Sequence, residues 1–205
     1  MTHSKCHVNA RGFAPKRQGE DVASKRDELL DAAEDRIRLG GYHAVSFRDL
    51  ADDLGIKSAS VHYYFRHKEG LALAVVERYA TRFFDALARE SEAATSPIEH
   101  MTAFCRIYRQ TLECSEKACL CGVLGAEGQG LPRDLMQAVA QFFTANIDWV
   151  AKALGRSMPP RARQRRASKI VAALQGGMML ASTMGNIGIL DDVIAEILND
   201  LRQPN

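Results

Sequence analysis

Apolar residues recur along most of the chain at the spacing of a helix buried on one side, and no stretch alternates apolar and polar as a half-buried strand does. The pattern predicts an all-α protein of about nine helices. From Ser24, the stripe Leu29, Leu30, Ala33 and Ile37 runs to a glycine stop at Gly40-Gly41. Ser46 followed by Asp49 marks the start of a short helix that ends at Leu54, before Gly55, and a second short helix spans Ser58 to Tyr64. Lys68 opens a long helix with Leu71, Val75, Val76, Tyr79, Phe83 and Leu87 on one face.

Ser96-Pro97-Ile98-Glu99 reads as a cap, a proline where no N–H is needed, and a glutamate able to close a capping box. The helix it opens carries Ile98, Met101, Phe104, Cys105, Tyr108 and Leu112. Residues 119–130, rich in glycine and cysteine, interrupt the regularity. Pro132 opens another helix with Leu135, Val139, Phe142, Phe143, Ile147, Trp149, Val150 and Leu154. After Pro159-Pro160 the last two helices are expected over 162–183 and 190–201. The span from Ile170 to Leu190 has no charged residue and is long enough to cross a bilayer, but Gln175, Asn186 and its glycines place it between helices instead.

Composition narrows the class. At 205 residues, 46% hydrophobic and 25% charged, the chain can bury a core as one domain, or as a small one fused to a larger. Disordered, collagenous and membrane classes do not fit. Lys plus Arg number 27 against 25 Asp plus Glu, so the total charge of +2 announces no nucleic-acid partner, and any such partner must be argued from local placement. The five cysteines lack the even spacing of a disulfide framework, which favours a reducing cytoplasm. His3, Lys5, His7, Arg11, Lys16 and Arg17 precede the first acid, Glu20, without an apolar run; residues 1–23 therefore read as a basic flexible arm rather than a signal peptide.

Two helices of about two turns each are too short to stand alone, so the pair between Ser46 and Tyr64 must be locked by packing. Ala51 is small enough for a close crossing, Gly55 can reverse the chain, and Val61 can plug the angle between the axes, with Leu50, Leu54, Ile56 and Tyr64 adding apolar contacts. Apolar spacing alone would equally suit a plain core hairpin. The Ala/Gly/Val register with polar exposed positions instead suits a helix-turn-helix that lays its second helix in a major groove.

The run from Val45 to Leu71, and above all Tyr64-Phe65 followed by Lys68-Glu69, resembles the DNA-binding module of the TetR family of bacterial transcriptional repressors, over Ser24 to about Ala80. The resemblance implies a DNA-binding domain at 24–70 and a helical ligand-binding and dimerisation domain at 71–205. It puts Ser46 and Arg48 at the start of the first short helix, where a phosphate can be met. Lys57, Ser58, Ser60, His62 and Tyr63 lie on or at the start of the recognition helix, and Lys68 begins the connecting helix, the electrostatically wrong end for a cation unless it meets phosphate. Lys57 stands where the family commonly caps with serine or threonine, so the cap is expected to shift to Ser58; His62 replaces a common tyrosine, so base preference does not carry over. Ser60 and His62 could also be plain solvated polars. The basic arm could reach DNA, while Arg161, Arg163, Arg165, Arg166 and Lys169 read as a solvated helix face.

Cys105, Cys114, Cys119 and Cys121 leave three readings open: metal ligands, reactive thiols or small buried apolar groups. Their spacings do not suit structural zinc, and neither metal nor cofactor is expected. A position between a helix end and glycine-rich chain, near Lys117, favours accessible thiols, and the passage 118–127 is similar to a TetR subgroup in which a cysteine at the place of Cys119 senses electrophiles or oxidants. Cys119 and Cys121 are the resulting thiol-sensor candidates. A non-covalent inducer would be lined by Phe104, Tyr108, Leu124, Phe143, Ile147 and Trp149, residues that would serve equally as core. Gly177, Ala181 and Gly185 form a smooth strip suited to helix approach across a two-fold axis. The expectation is a cytoplasmic homodimeric repressor that binds a double-stranded pseudo-palindromic operator and is released by a small molecule or an electrophile. A metal-responsive or scaffold helical binding protein is the alternative; an enzyme is not expected, since a cysteine nucleophile would have only His100 as base.

Overall fold

The computed structural model describes residues 18–115 and 118–202, and every regular element among them is helical. In chain order these are α1 (Gln18–Gly40), α2 (Phe47–Asp53), α3 (Ser58–Tyr64), α4 (Lys68–Glu90), α5 (Pro97–Ser115), α6 (Leu120–Glu127), α7 (Arg133–Ala153), α8 (Pro160–Met184) and α9 (Gly188–Arg202), with single 3-10 turns at Tyr42–Ala44 and Gly128–Gly130. Two boundaries differ from expectation. Residues 18–23, assigned to the arm, continue α1 towards its N-terminus; residues 1–17 lie outside the described part. The passage from Cys119, expected to interrupt the helices, contains α6, with Leu120, Cys121 and Leu124 buried.

Local chemistry accounts for the sharpest starts. The Ser46 hydroxyl accepts from the Asp49 amide at 3.1 Å and so caps α2. At α5 the Ser96 hydroxyl accepts from Glu99 N, while Glu99 Oε2 accepts from Thr95 N at 2.7 Å and Ser96 N at 2.9 Å, a closed capping box. Those donors, Thr95 first, hold the exposed Glu99 carboxyl down at about 2. At α3 the cap does not shift: Lys57 is the capping residue without a side-chain bond, and Ser58 is the first helical residue.

Tertiary packing sets α4, 23 residues and about 35 Å long, against α1, α5 and α7. Phe83 of α4 centres an aromatic cluster with Phe104, Tyr108 and Phe142 at centroid distances of 6.4, 5.9 and 5.2 Å. The buried apolar residues from Leu29 to Ile197 form one continuous core. The smooth strip on α8 is used inside the chain: Gly177 and Ala181 are buried, and a Cβ at Gly177 would lie 3.2 Å from Val193 Cγ2 of α9. Close approach there serves the α8–α9 pair, and Gly185 ends α8 in the left-handed conformation. No helix of the described residues is long and apolar enough to cross a membrane.

Candidate nucleic-acid interface and its link to the body

Leu50, Ala51 and Val61 are buried where α2 meets α3, Gly55 takes φ +61°, and the Ile56 amide donates to Ala51 O at 2.9 Å across the turn. That lock leaves one side of α3 in solvent. Ser58, His62 and Tyr63 are exposed, Tyr63 to 77%, and Ser60 is half-buried. Arg48 and Lys57 are exposed beside them. His62 keeps its ring edge-on to Phe47 at 4.8 Å, which fixes the α2 side of this face. Arg66, exposed between α3 and α4, is a further cation that sequence reasoning passed over. Lys68 stands apart. It is half-buried, with Nζ 4.2 Å from the centre of the Tyr42 ring, and burial pulls its ammonium below the ordinary range while Glu127 works against that.

The three-helix head is tied to the rest by charge. Glu34, 8% exposed, pairs with Arg82 and lies 3.7 Å from both Arg38 and Arg78; Arg78 also reaches Asp31 at 2.7 Å. Arg36 holds α2 through Asp53 at 2.5 Å. Two further bonds reach α6: Arg38 Nε donates to Ala118 O at 2.9 Å, and Tyr42 N donates to Glu127 Oε1 at 2.6 Å. Arg38, Tyr42 and Glu127 carried no local signal in the sequence.

The three cysteines whose side chains are described are not where accessible thiols would be. Cys119 is 2% exposed, and Cys105 and Cys121 are likewise buried. Burial drives the Cys105 thiol up to about 12 and Cys121 far above its ordinary range, with Cys119 and Glu34 adding to the latter. Cys119 Sγ accepts from the Tyr79 hydroxyl at 3.4 Å. Lys117 lies outside the described residues, as does the side chain of Cys114. Among the described residues, no group of three His, Cys, Asp or Glu is placed to hold a metal ion. Of the six expected pocket residues, Phe104, Tyr108 and Leu124 are buried, Trp149 stacks on Phe104 at 5.3 Å, Phe143 packs over Gly125, and Ile147 is half-buried. The Tyr108 hydroxyl is buried with no hydrogen-bond partner among the described residues.

A locked helical pair with an exposed polar second helix, carried on a larger helical body, defines a helix-turn-helix DNA-binding regulator. Comparison with known proteins is more specific. Residues 29–75 match the model of the bacterial regulatory proteins of the tetR family, and residues 97–196 match that of the C-terminal domain of LmrA/YxaF-like transcriptional regulators. The chain belongs to the TetR family of transcriptional regulators and is not an enzyme. It is 36% identical to the HTH-type transcriptional repressor KstR2 of Mycolicibacterium smegmatis over 80 residues, 39% of each chain. It is 26% identical to the HTH-type transcriptional regulator LmrA of Bacillus subtilis over 165 residues, 78% of this chain and 88% of that one. A TetR transcriptional regulator from Legionella pneumophila superposes with a TM-score of 0.79 at 26% identity, covering 92% of this chain and 99% of the other.

Proposed function

We propose that the chain is a homodimeric repressor that occupies a pseudo-palindromic operator with the exposed face of α3 in the major groove. The exposed row of Ser58, His62 and Tyr63 supports this reading: the rings of His62 and Tyr63 rest edge-on to Phe47 and Tyr64, which orients them while leaving them open to solvent. Ser46, Arg48 and Lys57 supply phosphate contacts around it, Lys68 can join them only by leaving the Tyr42 ring, and Ser60 lies at the edge of the reading face. Residues 24–70 act as the reading head, and 71–205 as the sensing and dimerising body. The two-fold contact is made by the face of α8 that α9 leaves open, where Met179, Leu180 and Met184 are 57%, 48% and 66% exposed.

Release follows when an effector stabilises a body whose heads no longer match the half-site spacing; only differential affinity for the two states can do this. A non-covalent effector would lodge among Phe104, Tyr108, Leu124, Phe143, Ile147 and Trp149, with the unpartnered Tyr108 hydroxyl as its polar contact. Electrophile sensing at Cys119, with Cys121 beside it, is favoured by a different observation: the Tyr79 hydroxyl couples Cys119 to α4, the helix that carries the head. With Cys119 buried, that version requires α6 to part from α4 before the sulfur reacts. Purified protein is expected to retard a duplex from the region upstream of its own gene at low salt, with affinity falling steeply as salt rises. No retardation of that duplex, or of any duplex from a randomised pool, overturns the reading.

A further inference from the structure

α6 is held to the head at both ends. Its approach is fixed by Arg38 Nε on Ala118 O, and its last residue, Glu127, puts Oε1 on the amide of Tyr42. Tyr42 follows Gly41, which takes φ +78° at the hinge between α1 and α2, and a Cβ at Gly41 would overlap Glu127 Oε1. The hinge is thus shaped to admit this carboxylate. Glu127 Oε2 is buried with no hydrogen-bond partner among the described residues, and the nearby cation is Lys68, over the Tyr42 ring. A carboxylate is costly in such a place, and one whose charge faces a lysine at the root of α4 is not explained by helix formation, because α6 ends there on Gly128 at φ +56°.

We infer that Glu127 is a positioning residue for operator binding: from the body, it fixes the Gly41-Tyr42 hinge and so sets the angle at which α2 and α3 are presented to DNA. Two heads on a dimer must match two half-sites at once, so any freedom at this hinge is lost on binding and weakens the complex. The assignment rests on the operator-binding reading above, but one of its measurements does not need DNA.

The test compares Glu127→Ala and Glu127→Gln in the full chain; glutamine keeps an acceptor for the Tyr42 amide. Hydrogen exchange at Tyr42 is expected to speed up at least about tenfold in Glu127→Ala and to stay near wild type in Glu127→Gln, with α7 and α8 unchanged. Binding is measured on a duplex that the wild-type protein selects from a randomised pool. Glu127→Ala is expected to bind about tenfold more weakly with an unchanged salt slope, and Glu127→Gln to recover to within about threefold. Unaltered exchange at Tyr42, unaltered affinity in Glu127→Ala, or a salt slope reduced by about one, the mark of a lost phosphate contact, overturns the assignment. So does a lowered melting temperature shared by both variants, which would make Glu127 a folding residue only. If the pool yields no duplex, the operator reading fails by itself, while exchange at Tyr42 still judges whether Glu127 holds the hinge.

Discussion

Cys119 is the residue at which packing and chemistry compete most directly. Its sulfur accepts the Tyr79 hydroxyl inside the core, so an adduct there would break a contact to α4 as well as add volume. Cys119→Ser keeps a group of similar size able to accept that hydroxyl. The variant is expected to bind the operator as wild type does and to lose release by N-ethylmaleimide; release that persists in a gel shift would remove Cys119 from the mechanism. Side chains that act on neighbours in sequence were legible beforehand: Ser46 caps the amide three residues on, and Glu99 closes its box on Thr95 and Ser96. Glu127 was not, because its partner Tyr42 lies 85 residues away and only the assembled fold brings them together.

At the scale of elements, amphipathic stripes gave away the helices that bury one face, such as α4 and α7, while α6 escaped. It has no single apolar stripe, its eight residues being apolar or glycine all round except for Glu127 while α1, α4 and α7 pack on it, and its Gly122 and Gly125 are poor helix formers set against Gln175 and Phe143. The start of α3 also departs from pattern, with Lys57 serving as a cap through backbone alone: Ser60 N donates to Lys57 O at 2.8 Å. On α8, small residues at four-residue spacing signalled close helix approach without saying to which helix, and α9 of the same chain takes that place. Gly177→Val is therefore expected to cost about 1–3 kcal/mol in urea unfolding, through overpacking against Val193 and Leu190. An unchanged midpoint would mean that α9 does not pack there.

For the whole molecule, the near-neutral total of +2 hid how charge is used. Exposed cations stand at Arg48, Lys57 and Arg66, while the buried Glu34 and the exposed Asp31 of α1 pair with arginines of α4 and Asp53 pairs with Arg36 inside the head. The uncharged span, long enough for a bilayer but expected between helices, divides between a buried face and an open apolar face at Met179, Leu180 and Met184. That open face is the one proposed above to seat a second copy. Leu180→Glu is expected to halve the mass measured by light scattering and to abolish tight operator binding, since one head covers only one half-site; a wild-type chain that already runs as a monomer would exclude the dimer.

The grip of Glu127 on the Gly41-Tyr42 hinge also bears on how such proteins can be recombined. A reading head grafted onto a foreign body, or a body onto a foreign head, would separate a carboxylate from the glycine that makes room for it. The unit of exchange is therefore longer than the DNA-reading segment: a chimera that keeps this head's bearing must carry the end of α6 along with it.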